Sequence, residues 1–141
     1  MRKLPLILFL ILGVACNKED DPEKFTSFNG YWFVRTPDDS TTVTFRIGVD
    51  ADNENTVSFA SVRHNQTDYN SKPIDAGIVA TTASEIESIT ILNNIPQAPF
   101  FVIRFLEITV NSDFTEMDIT NSTFNIDGGY REFAMIKATR K

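Results

Sequence analysis

The sequence predicts an all-β chain: about eight antiparallel strands in a meander, closed into a small barrel, with a β-sandwich as the alternative. Three observations carry that prediction. Apolar and polar residues alternate with a period of two over Thr42–Val49, with Val43, Phe45, Ile47 and Val49 on one face and Thr42, Thr44 and Arg46 on the other. Turn-forming clusters, among them Pro37-Asp38-Asp39-Ser40 and Asp127-Gly128-Gly129, punctuate the chain at short, fairly even intervals. Beyond the N-terminus there is no long run with the apolar spacing of a helix. Short, evenly spaced strands suit a barrel or a sandwich, and a meander of eight can close on itself and so remove its edges.

Taken in order, Tyr31–Thr36 is a short aromatic strand that stops at the Pro37–Ser40 turn. Thr42–Val49 is the clearest strand, and Asp50–Asn55 is a polar turn. Thr56–His64 places Val57 and Phe59 on one phase and then Ala60 and Val62 on the other, a shift that predicts a bulge or bend. Asn65–Pro73 reads as a longer polar loop, Ile74–Thr82 as a weaker alternating strand, and Glu85–Leu92 as a β-branched one. Asn93–Pro99 breaks the pattern with two prolines. Phe100–Val110 is the most apolar run, Asn111–Asp113 turns, Met117–Ile126 follows, and Tyr130–Thr139 closes the chain after a hairpin signal.

Composition bounds the function. The 141 residues carry a net charge of −6, which argues against nucleic acid, whose binding needs clustered Lys and Arg. Twelve Phe supply enough buried area for a core without covalent staples. Cys16 is the only cysteine, so no disulfide forms within the chain.

The N-terminus has its own logic. Arg2 and Lys3 precede an apolar run, Leu4–Val14, which is too short to span a bilayer and about as long as the core of a signal peptide. It ends at Gly13-Val14-Ala15-Cys16, small residues before a lone Cys, and so resembles the lipobox of bacterial lipoproteins. The resemblance implies cleavage before Cys16 and lipidation of its thiol. Each buried methylene contributes about 0.8 kcal/mol, and durable anchoring takes at least two chains. Asn17-Lys18-Glu19-Asp20-Asp21 then resembles the surface-export signal of lipoproteins in the Bacteroidota. The expected organisation is a signal peptide at 1–15, lipidated Cys16 with an acidic tether over 16–27, and one domain over 28–141. The expected location is the outer membrane, exposed at the cell surface, with a periplasm-facing orientation as the alternative. The partner so implied is the membrane, reached through the anchor.

Gly30-Tyr31-Trp32 on the first strand, followed by a meander with Arg140 near the end of the last, resembles the small lipocalin-like, calycin-type barrels. In that family the first-strand Trp packs at one end of the barrel with a last-strand Arg across it. The resemblance implies structural roles for Gly30, Trp32 and Arg140. It also implies an interior in which Phe45, Phe59, Phe101, Phe105 and Phe133 line or fill the space.

Few residues suggest chemistry. His64 is the only histidine, flanks a loop, and has no Cys or second His to share a metal. Asp50, Asp52 and Glu54 alternate in a turn but lack the Gly and distal Glu of a calcium loop. Scattered carboxylates, among them Glu85, Glu87, Glu116 and Asp118, read as solvated. Neither a catalytic residue nor a metal site or cofactor is expected. Arg104 and Glu107 interrupt the most apolar strand at positions of opposite phase, so one of them should face inward, and Arg104 is a candidate to orient a ligand. Asp39-Ser40-Thr41 resembles a short O-glycosylation site of the Bacteroidota, with Ser40 as the acceptor. The expected function is a non-enzymatic surface lipoprotein that binds a small apolar or amphipathic ligand. The alternative is a structural or interaction module of a surface protein complex, or a glycan-binding one with Tyr31, Tyr69 or Tyr130 as stacking platforms, in either case without a ligand cavity.

Overall fold

The computed structural model describes residues 24–69, 74–93 and 100–141. The expected signal peptide, Cys16 and the export-like segment therefore lie outside the described residues. The strands are β1 (Gly30–Arg35), β2 (Thr41–Val49), β3 (Asn55–His64), β4 (Thr67–Tyr69), β5 (Ile74–Ala80), β6 (Glu85–Asn93), β7 (Phe101–Val110), β8 (Glu116–Ile126) and β9 (Gly129–Arg140). They form one antiparallel sheet ordered β4-β3-β2-β1-β9-β8-β7-β6-β5. The sheet is a meander whose first and last long strands also pair, Trp32 with Arg140 and Val34 with Ala138. It curls strongly into a half-barrel that brings β3 alongside β5, consistent with a lipocalin-like barrel.

Nine strands appear where about eight were expected, because β4 occupies part of the anticipated polar loop. Asn65 and Gln66 both take positive φ and fold the chain back at once. That is the geometry of a primed hairpin turn, reached here without the glycine that would have announced it. Asp127 and Gly128, with φ of 51° and 81°, make the turn between β8 and β9 in the manner their composition indicates.

The concave face holds the core, arranged in transverse rows. Val62, Val43, Val34, Ala138, Met117 and Val110 follow one another strand by strand, all essentially buried. Ile86, Ile108, Ile119 and Ile136 form the next row, and Ile89, Phe105, Ser122 and Phe133 another. Between these last two rows each strand advances three residues, not two, from one inward side chain to the next. The ladders of β6 to β9 stay in register throughout. The sheet is thus creased along one line, and Glu107 and Met135 on that line take φ of 53° and 55°, rare for residues other than glycine. Such a crease lets long strands turn a corner together.

Aromatic rings fill the hollow of the curl. Phe45 meets Phe105 at 5.8 Å between ring centroids, Phe105 meets Phe124 at 5.9 Å, and Phe124 meets Phe133 at 5.6 Å. Each fully buried ring contributes about 1.5–3 kcal/mol by burial, and a well-oriented ring pair about 0.5–1.5 kcal/mol more.

Candidate functional site

The most distinctive surface feature is built on the convex side of β1, β2 and β3. The ladders place Tyr31 opposite Arg46 and Arg46 opposite Phe59, so the three side chains stand in one transverse row. The rings of Tyr31 and Phe59 meet edge to face, 6.1 Å apart and at 67°. The Arg46 guanidinium lies 5.8 Å from the centre of the Tyr31 ring and donates a 3.0 Å hydrogen bond to Ser58 Oγ. Beside this row runs a solvent-open groove of about 460 Å³, lined by Tyr31, Thr44, Phe59, Ser61 and Lys141. The Lys141 backbone N–H donates to the Tyr31 carbonyl at 3.0 Å, which holds the residue after β9 along the groove.

A β-bulge creates this arrangement. Pairing runs from Arg46–Phe59 to Ile47–Val57, leaving Ser58 as the extra residue. Val57 and Ala60 are buried, whereas Ser58 and Phe59 both point outward. Alternation revealed the shift of phase but not which side chains it would expel, and Phe59 is accordingly corrected from the interior to the outer face, where it is 37% exposed.

The other residues proposed for an interior site divide. Phe45, Phe101 and Phe105 are fully buried on the concave face, and Phe133 is partly buried against the same core. Phe124, which sequence reasoning did not single out, sits between Phe105 and Phe133. Arg104 is exposed, and so is Glu107, which corrects the expectation that one of the two faces inward. The crease explains it: inward residues change phase between Phe105 and Ile108, so Glu107 falls where the strand reverses its faces.

Two ends of the curl are locked by arginines of β9. At one end the Arg140 guanidinium lies 5.0 Å from the Trp32 ring and 4.2 Å from that of Phe25. It donates to the carbonyls of Ser27, at 3.2 Å, and Asn29. Trp32 Nε1 donates to the Phe28 carbonyl at 2.7 Å. Gly30, with φ of +134°, is pressed beneath the same guanidinium; a Cβ there would meet it at 2.7 Å. Burial draws the Arg140 pKa down from its ordinary value.

At the other end Arg131 reaches from β9 to the β1–β2 turn and the end of β3. It donates to the Asp38 carboxylate and to the Ser40, Thr41 and His64 side chains. Thr41 Oγ1 lies 2.8 Å from His64 Nδ1. Hydrogen bonds hold the Asp38 carboxyl far below the usual carboxylate range, first from Thr36 and then from Ser40, with Arg131 adding to them. Burial, then the adjacent Arg131 charge, pushes His64 down and keeps its ring neutral. Tyr69 donates to Asp127 at 2.7 Å across the same end, and that bond raises its pKa. The Ser40 hydroxyl, the candidate glycan acceptor, is half-buried and engaged by both Asp38 and Arg131. Nothing in the local pattern signalled this cluster, since His64 and Arg131 are 67 residues apart.

The remaining polar candidates are structural. Asp50 accepts from the backbone N–H groups of Asp52 and Glu54 and so shapes its own turn. Among the described residues no group of His, Cys, Asp and Glu is placed to hold a metal ion. Of the three tyrosines, Tyr31 and Tyr130 are exposed and Tyr69 is buried. No family model matches the chain, and no curated protein or solved structure is significantly similar to it.

Proposed function

We propose that this chain is a lipid-anchored, surface-exposed lipoprotein with a lipocalin-like domain, without catalytic activity, and that the domain binds its partner through the convex face of β1–β3. One observation carries the reading. The concave side, where a small apolar ligand would have to sit, is packed by its own Phe45, Phe105, Phe124 and Phe133 rings in unbroken succession, while Tyr31 and Phe59 are held outside, around an open groove. A ligand among Phe45, Phe101 and Phe105 would require those fully buried rings to part. Arg104, exposed on the outer side, is not placed to orient such a ligand.

The anchor and the binding face fit together. Acyl chains on Cys16 would supply the membrane contact, so the folded part needs no apolar membrane-binding surface of its own. A rigid sheet face carrying aromatic residues and arginine suits recognition, since Tyr and Arg are enriched where interfaces concentrate their energy.

Two measurements test this. Incorporation of labelled fatty acid should vanish in Cys16→Ala; persistent labelling would refute the anchor. Native mass spectrometry of the full chain from detergent micelles should find no stoichiometric apolar molecule, and a co-purified lipid retained one-to-one would return the binding site to the interior.

A further inference from the structure

We infer that the aromatic corner of Tyr31 and Phe59, with the groove beside it, binds an acidic saccharide oligomer, with sugar rings against the corner and successive carboxylates on Lys141, in the groove, and on Arg46, whose guanidinium leans to the other side of the row, over Gly48. The inference rests on the reading that the convex face is the working surface, and it names what that surface takes.

The shape of the groove narrows the choice. It is open to solvent and about 460 Å³, within the size range of ligand sites but without the enclosure an apolar molecule needs. Its floor is made of β1 and β2, whose backbones are laddered on both sides, β1 to β2 and β9, β2 to β1 and β3. No free edge is offered there for an extended peptide to join as a strand. A pyranose has what the groove asks for: a face of C–H bonds that lies on an aromatic ring and a rim of hydroxyls. Here the rings of Tyr31 and Phe59 stand at 67°, with the hydroxyl-bearing Thr44 and Ser61 as the neighbouring lining.

Charge narrows it further. Four cations occupy this face in a chain that is acidic overall. Arg35, which lies over the Phe33 ring, and Arg63 are matched by Asp39 at 3.6 Å and Asp68 at 3.7 Å. Arg46 and the Lys141 ammonium have no carboxylate within 4.0 Å among the described residues, so the unmatched cations are those beside the aromatic corner. Among the described residues Arg46 makes one hydrogen bond, to Ser58, although a guanidinium has five N–H donors. A carboxylate can take two of the rest in parallel. The bulge at Ser58 is what brings ring and cation together, since without it Phe59 would share the concave phase of Val57.

The test is calorimetry of the full chain in detergent micelles against galacturonic acid oligomers and the corresponding neutral galactose oligomers. The acidic series should bind, at least tenfold more tightly than the neutral one, and weaken as salt is raised. Arg46→Gln should remove most of that preference, and Phe59→Ala should abolish binding to both series. Both variants change exposed side chains, so an unchanged melting temperature will certify their fold. Absence of binding to the uronic acid series, or binding untouched by either substitution, overturns the inference. Equal binding of both series that is still lost in Phe59→Ala overturns the acidic assignment and leaves the working face in place. Capture of a protein partner that depends on Phe59, without saccharide binding, does the same. A one-to-one apolar ligand, with no effect of either substitution, sinks the reading of the face as well.

Discussion

The two ends of the curled sheet are each closed by an arginine of β9, and the two locks differ in kind. Arg140 is held by aromatic rings and backbone carbonyls, partners that do not titrate in water. Arg131 is held by a carboxylate, two hydroxyls and a neutral imidazole, so its bonds depend on the protonation of Asp38 and His64. The same side chain from the same strand is thus made insensitive to pH at one end and sensitive at the other. What surrounds a cation, more than the cation itself, decides how its contribution responds to conditions.

The comparison is broken most directly at Arg140. Arg140→Ala removes two cation–π contacts and strips two carbonyls of their donor, at a cost of about 2–4 kcal/mol. Urea denaturation should register it with little dependence on pH between 5 and 8. Gly30→Ala should follow, at roughly 1–3 kcal/mol, since the residue sits at a positive φ and its Cβ would collide with the same guanidinium. Arg131→Ala should cost less, about 1–2 kcal/mol at neutral pH, because its partners are partly solvated and water replaces some of the lost bonds.

The acid response distinguishes the locks. His64 has a folded pKa below its ordinary value of 6.5, so as pH falls past 6.5 the unfolded chain takes up the proton first and stability declines. Asp38, also depressed, is fully stabilising above its ordinary value of 3.8 and adds a second decline as pH falls below it. His64→Gln should flatten the first decline and leave the second; an unaltered slope between pH 7 and 5 would deny His64 that role. Arg46→Gln, on the convex face, should change stability by no more than about 0.5 kcal/mol, the smallest effect of the set.

Much of the architecture was legible. The period of two in Thr42–Val49 is the alternation of β2, and the shift of phase near Phe59 is the bulge in β3. The direction of Phe59 was not, because alternation marks that a residue is extra without saying which one leaves the ladder. The crease had a signal that went unread: Ile86–Ile89, Phe105–Ile108 and Phe133–Ile136 each step by three, an interval an unbroken strand does not allow for two inward residues. Each step alone resembles noise; its meaning emerges only when the strands are aligned. The Arg131 cluster joins residues far apart in sequence, and the convex row depends on pairing across three strands, so neither leaves a local trace.

That crease has a consequence for how the sequence of this protein can change. Four neighbouring strands reverse their faces along one line, where each ladder skips one pair, while the register on either side stays the same. Loss of a single residue from β7 on either side of Glu107 would turn part of that strand inside out against neighbours still in step. Substitutions can accumulate one at a time in this sheet; insertions and deletions across the line must come as matched sets or not at all. Such a sheet should tolerate changes of length in the turns that join its strands and resist them within the strands.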